Sequence, residues 1–142
     1  MPDADSHSNR TGHLLLIGLA LGFSLFVLLI ILAADRGLGP QLFGFVYWLP
    51  GGDLLGHFVL MGTLNLLVNL ALGGRNVRMA GRPVLAGSLV LAVLLTAEEI
   101  WQHWIPTRTF SLADLAADYA ALLLSSWLAL RLLWRVGRSP RH

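Results

Sequence analysis

A polar stretch from Glu98 to Asp118 interrupts a chain that is otherwise apolar enough to lie in a membrane. It holds four carboxylates, one amide, one histidine and one arginine between two strongly apolar runs. Ionisable groups at membrane depth cost free energy unless they are paired or hydrogen-bonded, and they commonly mark functional sites. The stretch is therefore the first candidate for a site that binds a ligand or moves protons.

Helical spacing separates the polar residues at the start of this stretch. Glu99, Gln102 and His103 share one face of a helix by the i, i+3, i+4 rule, whereas Glu98 points about 100° away. We therefore expect Glu99 to face inward as an acid–base group in the outer third of the bilayer, with Gln102 beside it as a ligand-binding amide. Glu98 is expected to be a structural or interfacial residue.

Arg108 follows in a turn, and two acids come after it. Arg108 either pairs with Asp114 to close a helical hairpin or binds a phosphate or carboxylate through its guanidinium group. Asp114 is also explained as a first-turn acid of a helix that Ser111 caps. Asp118 lies one turn deeper on the same face, where no cap is needed, and joins the acid–base candidates.

A second group of polar residues precedes the stretch. Asp53 and His57 stand four residues apart, which places them on one helix face. Asp53 either caps this helix or binds a ligand, and His57, a full turn deeper, is an acid–base candidate. Asn65 and Asn69 continue the same stripe, where side-chain amides commonly join membrane helices.

The composition indicates that lipid is the main solvent of the chain. Of its 142 residues 56% are hydrophobic and 13% are charged, whereas a soluble domain carries roughly 25% charged residues. The ten basic residues other than histidine are all arginines beside apolar runs, so they are interpreted as membrane-orienting charges and nucleic-acid binding is not expected. The absence of cysteine excludes disulfides and thiolate metal sites.

The apolar runs predict an all-α, polytopic membrane protein in the form of a four-helix bundle. A cleaved signal peptide is the competing interpretation of the first run, but its 21 residues exceed the roughly 7–15 of a signal-peptide core. Pro83 suits the first turn of the third helix. The expected division is a disordered tail over 1–13, a bundle over 14–135 with spans at 14–34, 54–72, 83–104 and 112–133, a re-entrant or interfacial loop over 38–52, and a basic tail over 136–142.

The arginines predict the orientation of this bundle. With four spans, one side of the membrane holds both termini and the 73–82 loop and collects eight arginines, against two on the other side. Arginine-rich loops stay in the cytoplasm, so both termini are expected there and the polar stretches 35–53 and 98–118 outside. The eight are Arg10, Arg75, Arg78, Arg82, Arg131, Arg135, Arg138 and Arg141, and the two are Arg36 and Arg108.

The polar residues also resemble the motifs of VanZ-like integral membrane proteins over about residues 50–125. The family pattern has an Asp-Lys-x-x-His-Phe that opens one span, a Glu-x-x-Gln that ends the next, and a Pro-x-Arg followed by Asp-x-x-x-Asn that opens the last. The same order occurs here as Asp53-Leu-Leu-Gly-His57-Phe58, Glu99 with Gln102, and Pro106 with Arg108, Asp114 and Asp118.

Three positions depart from that family pattern. Leu54 replaces the lysine, Asp118 replaces the asparagine, and Ala121 stands where glycine is common. The first two departures remove a positive charge and add an acid, so this site is expected to be more acidic and able to hold a proton or a cation.

The resemblance implies a bacterial cell-envelope protein of the cytoplasmic membrane, in a family partly linked to glycopeptide (teicoplanin) resistance. The leading hypothesis is an outer-leaflet pocket that binds or modifies a lipid-linked or peptidoglycan-related ligand. In it Arg108, Asp53, Gln102 and Asp114 bind the ligand, and His57, Glu99 and Asp118 form an acid–base cluster.

Two alternatives stay open at this point. One is a non-enzymatic scaffold or accessory subunit, able to oligomerise, whose polar cluster fixes helix packing. The other is a zinc or manganese site built from His57, Glu99 and Asp114 or Asp118. No short, specific metal-ligand motif supports the second, and no cofactor is expected.

Overall fold

The computed structural model describes residues 3–137 and confirms the all-α prediction apart from one short hairpin. Within these residues three helices are long and apolar enough to span a membrane, over Arg10–Asp35, Gly52–Ala71 and Leu112–Arg135. The elements are α1 (Asp3–Asp35), α2 (Gly39–Tyr47), α3 (Gly52–Ala71), β1 (Asn76–Met79), β2 (Arg82–Leu85), α4 (Ala86–Gln102) and α5 (Leu112–Gly137).

The prediction that Pro83 opens the third long helix is wrong. Pro83 lies in β2 and pairs with Arg78 of β1, and α4 begins three residues later, at Ala86. The hairpin forms because Ala80 and Gly81 both adopt positive φ, of 48° and 78°, which is the geometry of a tight two-residue turn. The remaining helix has 17 residues and is about 25 Å long.

Helix α1 begins before the expected first span and ends within one residue of its expected end. The helix begins at Asp3 and includes residues 3–13, where a disordered tail was expected, and it ends at Asp35. The expected basic tail over 136–142 lies mostly outside the described residues, because only 136 and 137 are included, as the end of α5.

The segment 38–52 forms a short helix, α2, which folds back onto the start of α3. The backbone of α2 is kinked at Phe43 (φ −124°, ψ 18°). Gly51 has a φ of 70°, and a Cβ on Gly52 would clash with the carbonyl oxygen of Val46. The two glycines therefore permit both the reversal of the chain and the close contact between α2 and α3.

Helix α3 is the centre of the bundle. It contacts α1, α2, α4 and α5, runs parallel to α5 and runs antiparallel to α1 and α4. At its contact with α5 a Cβ on Gly62 would lie 3.5 Å from the Cβ of Ala121, and Ala121 is fully buried. Small residues allow membrane helices to approach closely, so Gly62 leaves room for the methyl group of Ala121. The apolar core consists of Val27, Met61, Leu64, Leu91, Leu95 and Leu122.

The bundle has two chemically different ends. At the first, called the acidic end, α1 and α4 finish and α3 and α5 begin; at the other, called the arginine-rich end, lie the hairpin and the last turns of α5. The acidic end carries Asp35, Asp53, Glu98, Glu99 and Asp114, with Asp118 one turn deeper, and the arginine-rich end carries Arg75, Arg78, Arg82, Arg131 and Arg135.

A buried network of amides and hydroxyls joins α3, α4 and α5 between these ends, as expected for Asn65 and Asn69. The amide nitrogen of Asn65 donates to Ser125 Oγ (2.7 Å) and Ser126 Oγ (3.1 Å) of α5. The amide nitrogen of Asn69 donates to Ser88 Oγ of α4 (2.9 Å), and Ser88 Oγ lies 2.7 Å from Ser126 Oγ. Both asparagines are fully buried, so each helix supplies the hydrogen-bond partners that lipid cannot.

Replacing Asn65 by alanine is expected to lower the free energy of unfolding by about 1–3 kcal/mol, because the buried hydroxyls that face it lose their partner. Unfolding by sodium dodecyl sulfate in mixed micelles measures this change. Asn76→Ala, in the exposed strand β1, is the matched control and is expected to change stability by less than about 0.5 kcal/mol. Equal effects of the two variants would show that the network does not stabilise the bundle.

Candidate functional site

A cavity of about 150 Å³ lies at the acidic end, among all five helices. Helices α1 and α2 supply an apolar wall, including Val27, Ile31 and Phe43. The opposite wall is polar because the first turns of α3, the last turn of α4 and the beginning of α5 meet there. Its polar lining residues are Asp53, His57, Glu98, Arg108 and Asp118.

The imidazole of His57 is held between two carboxylates of α5. His57 Nδ1 lies 3.2 Å from Asp118 Oδ1, and Nε2 lies 3.9 Å from Asp114 Oδ2. The contact is possible because α3 and α5 are parallel and because residues 114 and 118 occupy successive turns. With its proton on Nδ1, His57 donates to the buried Asp118 carboxylate and keeps Nε2 available to accept a proton. This carboxylate–imidazole pair is an arrangement suited to general acid–base chemistry.

Arg108 lies between two other acids and not beside Asp114, so the pairing proposed from the sequence does not occur. Its guanidinium is 4.0 Å from Asp35 Oδ1 and 3.9 Å from Glu98 Oε1. Both oxygens are buried and have no hydrogen-bond partner within the described residues. The guanidinium therefore attracts both carboxylates, which repel each other, and of the three side chains Arg108 and Glu98 line the cavity.

Glu99 faces the interior, as expected, but Glu98 and not Glu99 lines the cavity. Glu98 lines the cavity, whereas Glu99 is 1% exposed and accepts a hydrogen bond from the backbone N–H of Ser111 at 2.5 Å. The chain leaves α4 after Gln102 and returns over the last turn of that helix, which brings the Ser111 N–H to Glu99. Glu99 thus anchors the loop between α4 and α5.

Gln102 is also part of the structure around the cavity. It is 2% exposed, and its amide nitrogen donates to Glu98 Oε2 at 2.7 Å. Gln102 is absent from the cavity wall and orients Glu98, which is in it.

The first-turn acids Asp53 of α3 and Asp114 of α5 also differ in position relative to the cavity. Gly51, and not Asp53, is the N-cap of α3, so Asp53 does not cap that helix and lines the cavity. The N-cap prediction for Ser111 is confirmed, because the Asp114 N–H donates to Ser111 Oγ at 3.2 Å. Asp114 completes the first turn of α5 and reaches the outer nitrogen of His57.

Sequence reasoning missed Asp35, which entered it only as the first residue of the polar stretch 35–53. Its backbone carbonyl accepts a hydrogen bond from Thr107 Oγ1 at 2.7 Å, and its carboxylate faces Arg108. One signal in the sequence could have identified Asp35. It is an acid that directly follows an apolar span, on the expected outer side of the membrane, where the turn that contains Arg108 also lies.

The charges of the cavity are unbalanced towards acid. Asp53, Glu98 and Asp118 line it against the one guanidinium of Arg108, so with all three carboxylates ionised the lining is net negative whichever protonation state His57 adopts. Among residues 3–137 no group of three or more His, Cys, Asp or Glu side chains is placed to hold a metal ion, and Glu99 turns to Ser111. The metal alternative therefore lacks its ligand set.

No protein-family model, curated protein or solved structure matches the chain.

Separate substitutions of Glu98 and Glu99 distinguish the cavity residue from the residue that anchors the loop. Glu99→Ala is expected to lower the free energy of unfolding by about 1–3 kcal/mol, since it leaves the buried Ser111 N–H without an acceptor. Glu99→Gln keeps an acceptor oxygen and is expected to recover most of this loss. Glu98→Ala, the matched control in the cavity, is expected to destabilise less than Glu99→Ala in the same detergent titration; the reverse order would contradict the assignment.

Proposed function

We propose that the chain is a VanZ-like integral protein of the bacterial cytoplasmic membrane with four spans and both termini in the cytoplasm. The ordered motifs from Asp53 to Asp118 support the family assignment, and the excess of arginine at one end supports the orientation. Helix α4 is the fourth span, since its 17 residues meet the lower limit of about 17 residues for a crossing helix. The cavity at the acidic end then opens towards the outer leaflet.

The proposed activity is the binding of an amphiphilic, lipid-linked envelope precursor in this cavity. The observation that carries it is the mixed lining, in which an apolar wall of α1 and α2 faces the Arg108 and His57–Asp118 groups. A lipid chain fits the first wall, and a polar head fits the second. Binding sites for amphiphiles commonly combine an apolar surface with a few convergent polar groups.

The acidic lining narrows the type of head group. A bare phosphate would be attracted by Arg108 but repelled by the three nearby carboxylates. A head that also presents hydroxyl or amine protons can donate them to Asp53, Glu98 and His57 while its anionic group reaches the guanidinium. A lipid-linked saccharide–peptide therefore suits the site better than a simple lipid phosphate.

The His57–Asp118 pair adds a chemical capacity to this binding site. Asp118 orients the imidazole and stabilises its charged form, and the imidazole can take a proton from a bound hydroxyl or amine. Asp118 stands where the family resemblance leads one to expect an amide, so this pairing with a full carboxylate is a property of this chain.

The scaffold alternative also has support from a specific observation. Glu99, Gln102 and the asparagine–serine network are buried and engaged with partners inside the bundle. These groups fix helix packing without contacting the cavity. The binding hypothesis rests on the polar residues that line the cavity, and the scaffold hypothesis rests on the polar residues that are paired inside the bundle. Variants of cavity residues alone therefore distinguish the two.

The membrane topology can be tested with single cysteines, because the natural chain has none. In intact spheroplasts a membrane-impermeant maleimide is expected to label Thr109→Cys, in the loop after α4, and to label Arg78→Cys, in the hairpin, only after permeabilisation. Labelling of both positions without permeabilisation would contradict the crossing of α4.

Ligand binding can be tested by native mass spectrometry of the detergent-solubilised full chain with lipid II and with undecaprenyl phosphate as probes. Lipid II is expected to bind more tightly, and Arg108→Gln is expected to weaken it about tenfold or more through loss of charge-assisted hydrogen bonds. His57→Gln is expected to weaken it as well.

Matched controls lie at the same end of the bundle. Arg36→Gln and His103→Gln remove an exposed arginine and an exposed histidine that do not line the cavity, and both are expected to bind lipid II like the unmodified chain. Unchanged binding in Arg108→Gln and His57→Gln, with normal stability, would contradict the binding proposal and favour the scaffold.

A further inference from the structure

A second cavity, separate from the candidate site and called the groove below, lies between α1 and α3 near the arginine-rich end. It has a volume of about 450 Å³, and its walls are mostly apolar, with Ile17 of α1 and Val68 and Ala71 of α3 among them. His13 and Arg75 also line it, and both lie at the arginine-rich end. His13 was expected to be a solvated tail residue, but it lies on α1 and faces this groove.

The dimensions of this groove match one leaflet of a bilayer. Its lining on α1 runs from His13 to Ser24, and eleven residues of helix extend about 16 Å. Half of a hydrocarbon core is about 15 Å thick. A groove of this length with basic residues at one end has the layout of an acyl chain joined to an anionic head group.

The basic end of the groove is held in place by the backbone. The Arg75 carbonyl accepts a hydrogen bond from the Ala86 N–H at 2.8 Å, which ties the chain before β1 to the start of α4. Arg75 is therefore fixed at the point where α3 ends, and its side chain remains largely exposed. The exposed guanidinium of an arginine can bind a phosphate with two parallel hydrogen bonds.

The surroundings favour an anion at this position. Four further arginines, Arg78, Arg82, Arg131 and Arg135, lie at the same end, and residues 54–97 and 119–137 contain no acid. Apart from Asp3 and Asp5 at the start of α1, the acids of the chain lie at or near the acidic end. The positive potential of this end attracts anionic lipid over zwitterionic lipid.

We propose that the groove between α1 and α3 binds an anionic phospholipid, with one acyl chain along Ile17 and Val68 and the phosphate at Arg75 and His13. The site belongs to the leaflet at the arginine-rich end and does not depend on the ligand proposed for the other cavity. A lipid seated there would fill the space between α1 and α3 at the end of the bundle opposite to the candidate site.

Native mass spectrometry of the full chain tests the proposal, with palmitoyl-oleoyl phosphatidylglycerol and the corresponding phosphatidylcholine as probes. Arg75→Gln is expected to weaken phosphatidylglycerol binding about fivefold and to affect phosphatidylcholine less. Arg82→Gln removes the same charge from the hairpin outside the groove and is the matched control, with an expected change below about twofold.

The groove itself is tested by filling it. Ala71→Phe, and independently Ile17→Trp from the side of α1, are expected to reduce binding of both lipids, and thermal melting in detergent identifies which of the two variants remains folded. Excess inorganic phosphate is expected not to displace phosphatidylglycerol, since the acyl chain contributes to binding.

Three results would overturn the proposal. Equal losses in Arg75→Gln and Arg82→Gln would mean a diffuse electrostatic attraction. Full retention of lipid in a folded groove-filling variant would place the lipid elsewhere. Displacement by inorganic phosphate would mean a simple anion site.

Discussion

The structure depends on one constraint, which is that polar side chains in the apolar interior of the bundle must find their partners on neighbouring helices. Helix α3 carries His57, Asn65 and Asn69 along one stripe, and the parallel helix α5 faces that stripe with Asp118, Ser125 and Ser126. An unmet hydrogen bond in lipid costs more than one in water. The pairing therefore sets the register of α3 against α5, and α4 joins through Ser88.

This register also creates the candidate site. At the deeper level, small side chains at Gly62 and Ala121 let α3 and α5 approach closely and exclude space. At the acidic end α2 packs beside α1 and α3, and all five helices line a cavity that has apolar residues from α1 and α2 and polar residues from α3, α4 and α5. The same stripe of α3 thus stabilises the bundle through the buried Asn65 and Asn69 and supplies a polar group to the cavity through His57.

The distribution of charge differs between the two ends of the bundle. Acids surround Arg108 at the acidic end, which is why the ligand we propose there carries hydrogen-bond donors as well as an anionic group. Arginines dominate the other end, which is why the ligand we propose there is an anionic lipid. Exposed Trp101 and Trp104 at the acidic end have the amphipathic character of residues at a membrane interface.

The sequence by itself determined the helical class, three helices apolar enough to span a membrane, the cap at Ser111, the joining role of Asn65 and Asn69, and four of the five polar residues that line the site. These follow from composition, periodicity and local spacing, which act within one helix. Only the tertiary structure decided that Glu98 and not Glu99 faces the cavity, that Arg108 contacts Asp35, and that Pro83 belongs to a hairpin. Each depends on where a loop returns or which helix lies opposite, and such contacts between distant segments leave no periodic trace in the chain.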